Sequence, residues 1–204
     1  MSNHSPEMPR MLAQSAFKLF GRHGFKNVNV EAVAADLGVT KGSVYWHYRS
    51  KQELIQAACA HYYRTYQRRI NEEIAPLSDP LERLERTLQI AVRTCLMDKA
   101  NRIFTMEIFT AAAHDEGVRR GWQQFYDSVR AFYIGLVKAA AIAGEVAVED
   151  PEQAVNTMLA AMEGIKLRAL FEPHICAPNE ELKIRAGLEH ILGMKAPVTG
   201  GAGR

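Results

Sequence analysis

Long apolar runs are missing from this sequence, and so are the signatures that announce an enzyme. No stretch approaches the roughly eighteen apolar residues a membrane-spanning helix needs, and the opening MSNHSPEMPRM lacks the apolar centre of a secretory signal. Cysteine is scarce: Cys59, Cys95 and Cys176 are odd in number and far apart, and form neither a disulfide framework nor a zinc pattern. A cytoplasmic chain in a reducing compartment is the expectation. There is no G-x-G-x-x-G, no P-loop, no H-E-x-x-H and no G-x-S-x-G. The seven histidines include no pair four residues apart. The GGAG near the end follows no strand and precedes no helix, so it reads as linker. Neither catalysis, nor a metal, nor a cofactor is expected.

Charge of either sign is nearly balanced, which by itself argues against a nucleic-acid partner; the net charge is +2 over 204 residues. Its distribution says more. Residues 1–52 hold seven Lys/Arg against three acids, a balance of +4, and the remainder holds 18 against 20, a balance of −2. A small basic head on a mildly acidic body fits a chain that touches phosphate at one end only.

Strand signals are also few, while helix starts recur. Asp79-Pro80-Leu81-Glu82 and Asp150-Pro151-Glu152-Gln153 each offer an N-cap, a proline at the first helical position and a capping-box partner. Ser50-Lys51-Gln52-Glu53 is a capping box without the proline, and Asn179 precedes two acids suited to the positive end of a helix. Gly24, Pro76, Pro173 and Gly193 read as stops. The apolar periodicity between these marks is helical and predicts an all-α chain of nine helices, over 7–23, 30–37, 41–47, 51–75, 80–97, 101–114, 117–143, 151–171 and 179–192. The domain reading is a head over 1–50, a body over 51–194 and a disordered tail over 195–204.

The stretch VTKGSVYWHYRSK, from Val39 to Lys51, concentrates rings and cations. Ala34, Gly38 and Val44 fall where a helix-turn-helix needs a small residue at the crossing, a glycine in the turn and an apolar residue packing back. The second helix is then held by Val44 and Tyr48, and Lys41, Gly42, Ser43, Tyr45, Trp46 and His47 project from it. A helix lying in the major groove uses its N-terminal residues on base edges and its flanks on phosphates. Gly42 lets the backbone approach closely, Tyr45 suits a thymine methyl, and Lys41, Trp46, His47 and Lys51 suit phosphates.

From RMLAQSAFKLFGRHGFKNVNVEAVAADLGV to TKGSVYWHYRSKQELI, residues 10–55 resemble the DNA-binding region of the TetR family of bacterial transcriptional regulators. The resemblance implies a helix-turn-helix head and a helical effector-binding and dimerising body. It puts Lys41, Gly42, Ser43, Tyr45, Trp46, His47 and Lys51 at DNA-contact positions and Val44 in the core, with Asn29 and Thr40 as caps that also meet phosphate. It implies further a homodimer that binds a palindromic double-stranded operator as a repressor.

Two features of the body are read beside that resemblance. The last two helices present Ala154, Met158, Ala161 and Ile165, and Ile184, Leu188, Ile191 and Leu192, as stripes that would pair across a two-fold axis into a four-helix bundle. Helices four to eight are rich in bulky and soft residues, and the resemblance implies an effector cavity there for a small apolar or amphipathic molecule. Its candidate lining is Tyr66, Met97, Phe104, Phe109, Trp122, Phe125, Tyr126, Met158 and Met162, with Glu107 the first polar anchor and Gln124, Asn156 and Glu163 weaker ones. The alternative to an effector is a cysteine that senses redox state, with Cys176 expected to be exposed in a loop.

Overall fold

The computed structural model describes residues 7–194; the tail expected over 195–204 lies outside them. Its architecture is all-α: α1 (Met8–Asn27), α2 (Val30–Asp36), α3 (Lys41–His47), α4 (Lys51–Ile74), α5 (Pro80–Ala91), α6 (Lys99–Ala112), α7 (Glu116–Ile142), α8 (Pro151–Arg168) and α9 (Glu181–Ile191). The helix expected over 80–97 changes character at Val92, where α5 gives way to a wider π-helical turn, Val92–Met97. Asp98 then caps α6 by accepting from Asn101 N–H.

The described residues form two compact units, 7–71 with 98–127 and 72–97 with 128–194. The first therefore holds more than the three-helix head expected over 1–50, since most of α4, all of α6 and the start of α7 pack with it. Leu12, Ala16 and Phe20 of α1, Val33 of α2 and Val44 of α3 have no appreciable exposure and make the head's core. Ser15 donates to Asp36 at 2.6 Å, which ties α1 to α2. Gly38, at φ 65°, turns the chain so that its own N–H and that of Val39 reach the carbonyls of Ala35 and Ala34. The expected stop at Gly24 is instead a kink: φ is 80° there, and helical winding resumes to Asn27. Phe104 of α6 meets Phe17 and Phe25 edge-on, with ring centres 4.8 and 5.6 Å apart.

In the second unit, α5, α8 and α9 pack together. The caps read from sequence are made: Asp79 accepts from Glu82 N–H, and Asp150 from Glu152 and Gln153 N–H. Asn179 is not a cap. It lies in a 3₁₀ turn, Pro178–Glu180, and α9 starts at Glu181 without a side-chain cap. Arg93 of the π turn donates to Glu181 at 2.7 Å, an acid from the first turn of α9. Among the described residues no helix is long and apolar enough to cross a membrane.

Candidate nucleic-acid interface

The head holds α3 by few contacts. Val44 is fully buried, and Tyr48, at the C-terminal cap, donates its hydroxyl to the Pro9 carbonyl of α1 at 2.9 Å. Thr40 caps the other end by accepting from Ser43 N–H at 3.1 Å. A helix pinned at one face and both ends presents its remaining side chains outward. Tyr45 is 40% exposed and Trp46 66%, large values for rings in a folded chain. Trp46 and His47 meet edge to face with ring centres 4.6 Å apart. Lys41 lies 5.6 Å from the centre of the Tyr45 ring and is ion-paired with Glu31 of α2. That pair lowers the carboxyl of Glu31 and raises the amine of Lys41 relative to their ordinary values, through the hydrogen bond between them. A side-chain carbon added at Gly42 would meet only the Thr40 hydroxyl, at 3.7 Å, so the protein's own packing does not demand glycine there.

Around α3 stand the other expected contacts. Asn29 is exposed, and its amide oxygen accepts from Ala32 N–H at 2.8 Å. Lys51 is half-buried, with its amine 3.4 Å from the Lys26 carbonyl. The Ser50 hydroxyl accepts from Glu53 N–H at 3.1 Å, and the Glu53 carboxylate accepts from Arg49 N–H at 2.8 Å, so the start of α4 is closed by its own side chains. Ser43 departs from expectation. It is buried, and its hydroxyl lies 2.9 Å from that of Thr40, so it supports the cap and does not project. Glu31 was not singled out in the sequence, where an acid in a first helical turn reads only as complementing the helix dipole.

The candidate effector residues fall in both units. Tyr66, Phe104, Phe109, Trp122, Phe125 and Tyr126 belong to a ring cluster of the first unit, in which Tyr63 stacks on Phe125 at 4.5 Å and Trp122 meets Phe109 edge-on at 5.2 Å. Met97, Met158 and Met162 lie in the second, the latter two buried. Glu107 does not stand as an unengaged anchor, because its carboxylate accepts from the backbone N–H of Phe25 at 3.0 Å. Gln124 and Asn156 are exposed, and Glu163 is ion-paired with the buried Lys166 at 3.0 Å.

The expected dimer stripes divide in the same way. Ala154, Met158, Leu188 and Leu192 are buried in the protomer's own core, while Ala161, Ile165, Ile184 and Ile191 are partly exposed. The large apolar side chains exposed in the second unit are Leu167, Leu170, Phe171 and Leu182, near these stripes, and Ile142 at the end of α7. Cys176 is buried rather than exposed, as are Cys59 and Cys95. Burial pushes the Cys59 thiol up to about 12.

Comparison with known proteins adds to this geometry. Residues 12–58 match the family described as bacterial regulatory proteins, tetR family. Residues 80–193, more than half the chain, match the BetI-type transcriptional repressor, C-terminal. The HTH-type transcriptional regulator TtgR of Pseudomonas putida is 25% identical over 172 residues, 82% of either chain. The uncharacterized HTH-type transcriptional regulator YerO of Bacillus subtilis is 30% identical over 56 residues, 28% of this chain and only 19% of that one. A transcriptional regulator from Saccharomonospora viridis, solved in complex with choline, shares the fold with a TM-score of 0.82 at 19% identity, over 92% of this chain and 96% of that one.

Proposed function

We infer the function from one premise: this chain belongs to the TetR family of bacterial regulatory proteins. It is a DNA-binding transcriptional regulator and not an enzyme. Within that class we read it as a homodimeric repressor that binds a palindromic operator and is released by a small apolar or amphipathic effector.

The observation that carries this reading is α3, with Tyr45 and Trp46 exposed and Lys41 beside them, on a core that leaves that face uncovered. In the major groove Tyr45 contacts base edges, and Lys41, Trp46, His47 and Lys51 contact phosphates. Asn29 and Thr40 contribute from the two caps. Gly42 admits the backbone closely because a side chain there would project outward. One such helix binds weakly, and two on a two-fold axis engage half-sites about 34–36 Å apart.

The dimer reading is supported by the uncovered face of the second unit. Leu167 at the end of α8, Leu170 and Phe171 in the turn that follows it, and Leu182 on α9 are exposed. Ala160 and Gly164 on α8, with Ala186 and Gly187 on α9, are small exposed residues that would let helices approach. Ala161, Ile165, Ile184 and Ile191 are partly exposed as well, on other sides of the same helices.

For the effector, the ring cluster around Trp122 and Phe109 offers an apolar wall. The S. viridis regulator was solved with choline, and aromatic faces attract quaternary ammonium groups, so choline heads the compounds to test. An effector shifts the balance only by its difference in affinity for the operator-bound and released states.

The test is selection of genomic fragments by the purified full-length protein, repeated with choline and a panel of apolar and amphipathic compounds. A palindrome bound by a dimer and released by one compound supports the whole reading. A palindrome that no compound releases removes the effector part, and failure to enrich any sequence removes the assignment of α3.

A further inference from the structure

A groove in the first unit gathers cations, and its lining includes none of the residues assigned to operator binding. It runs between α1 and α4, has room for about 570 Å³, and is lined by Arg10, Gln14, His61, Arg64, Thr65 and Arg68. The volume lies within the roughly 300–1,000 Å³ usual for small-molecule sites. Among the described residues no Asp or Glu is part of its lining, although Arg68 is engaged in interactions of its own. On α4, positions 61, 64, 65 and 68 follow the i, i+3, i+4, i+7 spacing that gathers side chains on one helical face. Arg10 and Gln14 face them from α1, one turn apart. The ring of Phe17 lies 5.7 Å from that of His61, an apolar contact at the groove's edge.

Three guanidinium groups in one groove repel one another, and arginines four apart on a helix destabilise it. Arg10 is paired with Glu7, but both side chains are well exposed and the pair is of the weak surface kind. The cations act together on His61: burial, then Arg64, Arg68, Arg10 and Lys18, hold its imidazole below the ordinary value. At neutral pH it is therefore an uncharged ring with one N–H to donate. Guanidinium forks match the planar edges of phosphate and carboxylate groups, and Gln14 and Thr65 add neutral donors between them.

We propose that this groove between α1 and α4 is a binding site for a small polyanion, a molecule carrying two or more phosphate or carboxylate groups. Arg10 on one wall and Arg64 and Arg68 on the other offer cationic forks from two helices, which a molecule with more than one anionic group can engage together. The site has a route to the reading helix. The hydroxyl of Tyr48, the cap of α3, is held by the Pro9 carbonyl next to Arg10; burial raises this phenol, and the charge of Arg64 opposes the rise. A polyanion drawing Arg10 and Arg64 together bears on the residues that fix the end of α3.

The experiment is calorimetric titration of the full-length protein without DNA, at fixed low ionic strength, with pyrophosphate, citrate and inorganic phosphate in turn. Pyrophosphate or citrate is expected to bind saturably and about tenfold tighter than inorganic phosphate, and the better of the two names the group the site prefers. Arg64→Gln is expected to weaken that binding about tenfold, and Arg64→Lys less, while Arg119→Gln on α7 leaves it unchanged. Absence of saturable binding overturns the proposal, as does equal weakening by Arg64→Gln and Arg119→Gln. So does equal affinity for pyrophosphate, citrate and inorganic phosphate, which would make the groove a generally positive surface with no preference for a polyanion. Since no DNA is present in the titration, its outcome is independent of the operator reading.

Discussion

The carboxylate of Glu107, on α6, accepts a hydrogen bond from the backbone N–H of Phe25, 82 residues away in the chain and 3.0 Å distant in space. The bond exists because Gly24 takes φ 80°, which breaks the helical ladder of α1 and turns the next amide toward α6. An amide released from a helix and packed against rings needs an acceptor. Glu107→Ala should therefore destabilise the protein by about 1–3 kcal/mol, and Glu107→Gln by less, since its amide oxygen still accepts. Gly24→Ala should cost about 1–2 kcal/mol or more, because the left-handed conformation penalises a side chain and the added carbon would lie 2.9 Å from the Glu107 carboxylate. Urea unfolding of the three variants checks the order; equal losses for Glu107→Ala and Glu107→Gln would deny the hydrogen bond its role.

Lys41 faces a choice between Glu31 and DNA. In the DNA-free protein it is ion-paired with Glu31, whose carboxylate therefore stands beside the face proposed to meet phosphates. Removing that charge frees Lys41 and reduces repulsion of the DNA. Glu31→Gln is expected to tighten operator binding about two- to fivefold, in keeping with the modest worth of exposed pairs. Lys41→Ala is expected to weaken binding to all sequences and flatten the salt slope by about one unit. The pair holds Glu31 below and Lys41 above their ordinary values, so both stay charged from about pH 5 to 9. The effect of Glu31→Gln should thus be the same at pH 6 and pH 8, and a strong pH dependence in fluorescence-anisotropy binding curves would contradict it.

Much of the fold was legible because its signals are local. Asp79, Asp150 and Ser50 each cap the helix that follows through a contact two or three residues on, and the turn at Gly38 is decided by one backbone angle. Two of the failures are non-local. Gly24 read as a stop because nothing near it in sequence reveals that Glu107 will take the released amide. Periodicity identified the apolar faces of α8 and α9, yet a periodic stripe does not say which neighbour will cover it. The protomer itself covers Met158 and Leu188 and leaves Phe171 and Leu182 outside. Asn179 had the composition of a cap, but the 3₁₀ turn Pro178–Glu180 takes its place in the chain before α9 begins. At the candidate interface the exposed rings of α3 were legible, and the burial of Ser43 was not, since its hydroxyl is claimed by Thr40 one turn earlier.

The thiols should be inert in the folded state. Cys59, Cys95 and Cys176 are all buried, and with Cys59 pushed up to about 12 only about one in 10⁴ of it is thiolate at pH 8. A chromogenic disulfide reagent is expected to titrate three thiols in denaturant and none promptly without it. Peroxide should leave operator affinity unchanged, and Cys176→Ser should bind as the parent does. One fast-reacting thiol in the native protein, together with a peroxide response lost in Cys176→Ser, would restore the redox alternative.

The exposed apolar residues just after α8 and on α9, and the buried residues of those helices, should respond oppositely to mutation. Phe171 and Leu182 are each 67% exposed, so a charge placed there meets water in the protomer and apolar surface in a dimer. Phe171→Arg and Leu182→Arg are expected to give folded monomers by sedimentation, with thermal stability lowered only by loss of association, and with operator affinity reduced because the half-sites are no longer bound together. Leu188, at 2% exposure, is core. Leu188→Ala is expected to cost about 2–5 kcal/mol by leaving a cavity, while any molecules that remain folded still associate. Dimers of parental affinity from both arginine variants would show that this face is not the interface, and would shift attention to another surface of the second unit.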